Sequence, residues 1–502
     1  MNRFRKPGVR VFSKCLWKAI MAAGAVLATW TASGAATENM QYYRPAGQFF
    51  VGDCMPFFQD GVFHLYYLLD ENHHQGKKGL GGHQWAHATT TDLRHWTHHP
   101  LAVAITDENE ASICTGSVFH HDGVFRGYYA TRRMDGTEHL SLATSTDGIH
   151  FEKTLPNPFA SPGEGYAPRA FRDPCVFRDD GTGLFHLLVS ASLTGCPVPD
   201  RGGCLAQFTS RDLKDWERVE PFLVPGYRGV PECPDYFAWN GWFYLLFSID
   251  GIAHYRMSRE ALGPWLRPEV DTLDGPMARV MKTAAFTGGR RLGVAFLPTL
   301  EGGKDHGGWQ YAGNAVFREI VQHPDGSLGS RFPEEMTPEG TEVAGLSFAP
   351  LTQQASGDAQ RVQLRAPEGF AAGHLAGTPV NARITFRVVP EAGASDFGVC
   401  VRGSGDYAEG YEIRFSPPER RVSLRRPQSG TLEFPPGNAL LNVDGLDRPF
   451  SVDLVMSGDI IDLCVDKRRC LINRCPELRG DRLFFFAQNS SVAFEMIAVH
   501  SL

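Results

Sequence analysis

A tight turn followed by an apolar strand recurs along this chain, and that repeat decides the fold class. DGVFHLYYL (60–68), DGVFRGYYA (122–130), DGTGLFHLLVSA (180–191) and NGWFYLLFS (240–248) each set an Asp-Gly or Asn-Gly turn before an apolar run, the pattern of a hairpin and its second strand. GGRRLGVAFL (288–297) is a fifth, weaker copy. The copies start about 50 to 60 residues apart, the length of one four-stranded propeller blade. A second element keeps step with the first: ATTTDLRHW (88–96) returns as ATSTDGIHF (143–151), FTSRDLKDW (208–216) and, more loosely, RMSREALGPW (256–265). Here a Ser/Thr–Asp turn joins two strands, and the aromatic that follows packs between sheets. The reading is all-β, with a five-bladed β-propeller over 40–340. From 345 to 502 the blade repeat stops and short alternating strands such as YEIRF, FSVDLVM and RLFFFA follow, which predicts a C-terminal β-sandwich. That domain is expected to pack against the propeller, with glycan binding as its alternative role.

The second repeat also disposes of a tempting metal site. Residues 81–100 hold five histidines, with His83 and His87 four apart. A zinc site on that spacing needs a helix and a third ligand, whereas this stretch reads as strand, turn and strand. The histidines vary while the turn repeats, so they are expected at the surface or between strands. No metal and no cofactor is called for.

At 502 residues and net charge −7, the chain can bury a large core but carries no basic stripe, which excludes nucleic acid as a partner. Six basic residues in MNRFRKPGVRVFSKCLWK, the short apolar run AIMAAGAVLATW and small residues up to Ala36 read as a signal peptide over 1–36. No second apolar run follows that could span a bilayer. A secreted or periplasmic protein is expected. Ten cysteines remain after Cys15. Cys196 with Cys204, and Cys470 with Cys475, are close enough in sequence to pair. Cys54, Cys114, Cys175 and Cys233 sit near the start of innermost strands, as two disulfides, a thiolate metal site or, preferably, small packing residues.

Counting back from each turn glycine finds acids in one phase. Asp53 stands eight before Gly61, Asp173 eight before Gly181, Glu232 nine before Gly241 and Thr115 eight before Gly123. The fifth copy places Met281 and Lys282 there. Equivalent positions of successive blades form a ring about the central axis, so three carboxylates are expected to converge at one end of it. Each could instead cap a local turn or, like Asp173 with Arg172, pair with a neighbouring cation. Three in step point to a site. Converging carboxylates suit glycoside hydrolysis, in which one attacks or positions water and another protonates the leaving oxygen. Glu232, with a longer side chain and apolar neighbours, is expected to be the acid/base.

These segments resemble glycoside hydrolase family 32, the invertases, levanases and inulinases. HATTTDLRHW (87–96), CTGS (114–117), FRDP (171–174), PECPD (231–235), GGWQYAGNAVFREI (307–320) and IIDLCVDKRRCLIN (460–473) are similar to that family's motifs over nearly the whole mature chain. The resemblance implies a propeller followed by a sandwich and a retaining mechanism. It assigns Asp53 as nucleophile, Asp173 as transition-state stabiliser and Glu232 as acid/base, with Arg172, Thr115 and Ser117 binding substrate. It also exposes departures. Gly52 stands for the family's Asn, Cys54 for its Pro, Leu68 for its Gln, Leu80 near its Trp, and Cys114 for its Phe. The expected function is a secreted retaining hydrolase of a furanoside, a β-fructofuranoside or close relative, with an oligosaccharide or glycoside as its partner. An inverting arabinofuranosidase-like propeller and a non-catalytic glycan-binding protein are the alternatives. The sugar and the oligomeric state are not set by sequence.

Overall fold

The computed structural model describes residues 39–426 and 438–502; the expected leader, 1–36, lies outside them. Strands Phe49–Gln59, Val62–Glu71, Gln84–Thr90 and Thr97–Val103 form the first blade. The second runs from Glu110–His121 to Glu152–Lys153, and the third from Tyr166–Arg178 to Glu217–Leu223. The fourth comprises Glu232–Trp239, Trp242–Ile249 and Ile252–Ser258, and the fifth runs from Arg279–Ala285 to Leu328–Arg331. Each blade is antiparallel, and backbone pairing between successive blades is limited to single residue pairs. Ile252 meets Arg279 between the fourth and fifth blades, and Val51 meets Gly313 between the first and fifth. Among the described residues no helix is long and apolar enough to cross a membrane.

Both repeats have the local structure their residues dictate. Asp60-Gly61, Asp122-Gly123 and Asn240-Gly241 all have positive φ at both positions, the two-residue turn that matches strand twist. In the Ser/Thr–Asp turns, Thr90 Oγ1 accepts the N–H groups of Asp92 and Leu93, while Asp92 Oδ1 accepts those of Arg94 and His95. Ser145–Asp147 and Ser210–Asp212 repeat the same four bonds. The turn requires left-handed backbone at the residue after its Asp, held by Leu93, Gly148 and Leu213 in the three copies. The aromatic that follows packs on the preceding blade. Trp96 lies 5.5 Å from Phe317 of the fifth blade, Phe151 5.8 Å from Tyr66 of the first, and Trp216 6.0 Å from Tyr128 of the second. Trp265 lies 6.0 Å from Phe222 of the third. These side chains therefore contribute to packing at four of the contacts between blades.

Most of the histidines of 81–100 lie at the surface or between strands. His95 pairs with Asp92 in its turn at 2.6 Å, and His98 lies against Tyr43. His87 is buried between Tyr66 and His99, its Nε2 3.1 Å from His64 Nδ1. His83 has another place, described below.

The second domain is built on two long strands that bend and serve both of its sheets. Arg482–Ser501 pairs through its first half with Asp396–Ser404 and through its second half with Ala382–Pro390. Arg361–Ala376 follows it along both halves, with a register shift between Ala366 and Phe370. Phe397, Phe415, Phe450, Phe485 and Phe494 fill the space between the sheets. The junction with the propeller is mixed: Ile460 and Ile472 pack into an apolar cluster with Leu273, Leu297 and Val316, and buried charge crosses beside them. Arg318, fully buried in the fifth blade, donates to Asp274 and, at 2.8 and 2.9 Å, to Asp462 of the second domain. Tyr42 adds a bond to Asp462 at 2.7 Å. The ten described cysteines carry free thiols, so neither expected pair forms. Cys204 packs inside the third blade while Cys196 sits half-exposed in a turn. Cys470 faces Cys464 across a hairpin, not Cys475.

Candidate active site

All five innermost strands make the same irregularity at one end of the axis. Between Val51 and Cys54 the strand advances three residues while its partner advances two, from Leu69 to Tyr67. The same one-residue excess falls between Ile113 and Gly116, Arg172 and Cys175, Glu232 and Asp235, and Arg279 and Lys282. Each is a β-bulge, which bends the strand and re-aims its side chains. The bulges also correct the expectation of a single phase. Glu232 precedes its bulge, in the place of Arg172 and Arg279; Asp173 is the first residue inside its bulge, in the place of Gly52 and Cys114. Asp53 is the second, in the place of Thr115. Three adjacent positions reach the axis because a bulge interrupts the alternation that would send neighbours to opposite faces.

The bulged ends surround a cavity of about 1090 Å³ lined by Asp53, Thr115, Arg172, Asp173, Glu232 and Tyr311. Asp53 accepts a hydrogen bond from Thr115 Oγ1 at 2.5 Å and another from the Tyr311 hydroxyl at 3.0 Å, with the Cys233 thiol 3.5 Å away. Asp173 is 2% exposed and accepts the Cys233 N–H at 3.0 Å. Burial pushes its carboxyl up to about 7 against the pull of Arg172, with Glu232 and Asp53 adding to the rise. Arg172 donates to Glu232 at 2.6 Å and to buried Glu138 at 3.3 Å, and lies 3.7 Å from Asp173. Burial alone would lower that guanidinium; these three carboxylates hold it raised. The Glu232 side chain is 33% exposed, so the expected apolar setting belongs to Asp173 instead. Glu232, although bound to Arg172, is more open to the cavity than Asp173.

Ser117 does not join this set. Its hydroxyl donates to the Pro174 carbonyl at 2.9 Å and faces the opposite end of the axis. Two strand residues beyond Thr115 amount to roughly 7 Å of travel. Leu68, Leu80 and Cys114 line the cavity as apolar wall. A Cβ on Gly52 would lie 2.7 Å from the Tyr311 hydroxyl, so Tyr311 occupies the room that a side chain at 52 would need. The four axial cysteines are packing residues. Burial raises their thiols, Cys114 and Cys175 to about 11.

Sequence reasoning did not find Tyr311, Glu138 or the wall behind them. His83 and His74 line the cavity and lie 5.3 and 5.6 Å from the Tyr311 ring. Asp70, fully buried, accepts His83 Nε2 at 2.9 Å and the backbone N–H groups of His73 and His74. Asp70, His74 and His83 bring ligand-type atoms within 4.8 Å of one another. Arg132, however, donates to His74 Nε2 at 3.3 Å and also pairs with Glu138. A guanidinium in that place suits a hydrogen-bonded wall better than a cation site. Burial, then His83 and Arg132, lower His74 to about 4.

The model of the glycosyl hydrolases family 32 N-terminal domain matches residues 53–262, from the first acid through the third. That match takes in the first four blades of the propeller. Among curated proteins, a sucrose-6-phosphate hydrolase of Escherichia coli is 33% identical over 201 residues, 38% of this chain and 39% of the relative. A levanbiose-producing levanase of Bacillus subtilis (strain 168) is 28% identical over 225 residues, 42% of this chain and 39% of the relative. The chain thus matches well under half the length of either. The fold extends further than these matches. Fructan 1-exohydrolase IIa from Cichorium intybus superposes with a TM-score of 0.69 at 17% identity, over 93% of this chain and 97% of the other. That likeness takes in both the propeller and the second β-domain.

Proposed function

We propose that this protein is a retaining glycoside hydrolase acting on a furanoside, a β-fructofuranoside or a close relative. The observation that carries the reading is the convergence of Asp53, Asp173 and Glu232 on one cavity, with Arg172 bridging the last two. The sucrose- and levan-cleaving relatives named above support the substrate class. An Asp53 oxygen bonds to the anomeric carbon as the bond to the leaving oxygen breaks, and Glu232 gives its proton to that oxygen. Water then attacks the same carbon, returns a proton to Glu232 and frees Asp53. Thr115 and Tyr311 hold the Asp53 carboxylate in line, and Asp173 takes the sugar hydroxyls.

The wall made by Leu68, Leu80 and Cys114 leaves fewer polar partners for a fructose ring, so weak or no sucrose cleavage is expected. A screen over fructofuranosides, arabinofuranosides and their oligomers, with Asp53→Asn as blank, tests the proposal. Turnover that Asp53→Asn abolishes supports it. Saturable glycan binding with no turnover would favour a glycan-binding protein, which the apolar wall also suits. We further propose export, with residues 1–36 removed; an N-terminus other than one near Thr37 on the exported protein would overturn that.

A further inference from the structure

The five innermost strands that present the acids at one end of the axis line a second depression at the other, about 660 Å³ in volume. The two share no lining residue. Arg291, at its floor, is only 7% exposed. Its guanidinium lies over the Phe237 ring, 3.5 Å from the centroid, and Nη1 donates to Thr283 Oγ1 at 2.8 Å. Its Nε meets no acceptor, and among the described residues no carboxylate forms an ion pair with it. Beside it Lys282, 3% exposed, spends two N–H groups on the carbonyls of Gly116 and Pro234. Asp235 is the one carboxylate at this level, and one of its oxygens already accepts both the N–H and the hydroxyl of Thr283. Asp179 is tied into its own turn by Gly181 and Thr182, and exposed Asp180 lies 3.8 Å from Arg178.

A buried guanidinium without a counter-ion is costly unless something completes it. Burial lowers Arg291 to about 10 although Asp235 opposes the shift, so the group stays charged at neutral pH. Around it the rings of Phe57, Phe119, Phe177, Tyr236 and Phe243 supply flat apolar faces, the usual lining of a small-molecule site with a few convergent polar groups. We propose that this depression binds a small organic oxyanion. A carboxylate or phosphate group is received by Arg291, and the body of the molecule lies on the aromatic rings. The site is separate from the hydrolytic cavity, and the proposal stands whether or not the chain hydrolyses furanosides.

Thermal unfolding at constant ionic strength, in sodium phosphate, sodium benzoate or sodium chloride, tests it on wild type, Asp53→Asn and Arg291→Met. Wild type and Asp53→Asn should gain stability saturably with phosphate or benzoate and not with chloride. A response to benzoate alone assigns a ring carboxylate, and one to phosphate alone assigns a phosphate ester. Arg291→Met should bind at least tenfold more weakly. If that variant does not fold, Arg291→Lys, which keeps the charge but loses the fork, should bind several-fold more weakly. The proposal fails if no oxyanion exceeds chloride, if the Arg291 variants respond like wild type, or if Asp53→Asn abolishes the response.

Discussion

Two hydroxyls meet at Asp53, and one of them comes from a residue whose place depends on a missing side chain. The Tyr311 hydroxyl lies where a Cβ on residue 52 would sit 2.7 Å away. Removing the hydroxyl bond to a charged acceptor costs roughly 1.5–3 kcal/mol, so Tyr311→Phe should lower kcat/KM about 10- to 100-fold on any substrate the screen finds. Gly52→Asn should be destabilising in wild type and markedly less so beside Tyr311→Phe; urea unfolding of all four combinations gives the coupling, and additivity would remove the exchange of space between 52 and 311. Asp173 carries a pH signature. Burial raises its folded pKa to about 7, so the native state binds this proton more tightly than the unfolded chain does. Stability from this group is therefore present at low pH and is lost as pH rises from about 4 to about 7. Asp173→Asn should gain stability over wild type above pH 7, by roughly 4 kcal/mol at most, and little near pH 4. A gain independent of pH would mean that Asp173 is not the buried, proton-retaining acid.

At the scale of elements, the repeated turns and the repeated bulges do different jobs. The Ser/Thr–Asp turn delivers an aromatic onto the preceding blade, and Trp96 does this across the join of first and last blades. Trp96→Ala should cost about 3–5 kcal/mol in urea unfolding; a loss under about 1 kcal/mol would contradict its role in closing the ring. The turns were legible because their chemistry is local: Asp-Gly and Asn-Gly take positive φ, and Ser/Thr–Asp accepts its own next N–H groups. The bulges were not. They exist only in the pairing of one strand with another, so counting from a turn placed three acids in one phase when they occupy three adjacent positions. The same limit explains Ser117, sent to the far end of the axis by two residues of strand. It also explains Tyr311 and Glu138, which reach the cavity from blades without an acid of the trio, and His83, which reaches it from a loop of the first blade. Histidines His87 and His95 were foreseen as inter-strand and surface residues because only their variability had to be read.

For the whole molecule, the propeller and the second domain are joined in part through buried charge, beside the apolar contacts of Ile460 and Ile472. Arg318 holds Asp274 and Asp462 together, and burial raises Asp462 to about 6 despite that contact. Arg318→Leu strands two buried carboxylates and should cost roughly 3–5 kcal/mol. The loss should shrink as pH falls towards about 6 and level off below it, because without the cation Asp462 takes up its proton at a higher pH than in wild type. A calorimetric loss that stays constant from pH 8 to pH 5 would put the junction's strength elsewhere. The same rigid ring fixes the spacing of the acids, and with it the stereochemistry. If Asp53 is the nucleophile and Glu232 the acid, their carboxyl groups lie roughly 5–5.5 Å apart, too close for an intervening water. Proton NMR of the first sugar released from the best furanoside in the screen reads that geometry directly. Product with the substrate's anomeric configuration, mutarotating only afterwards, is the predicted result; product that first appears inverted would mean that water attacks directly and Asp53 never bonds to the sugar.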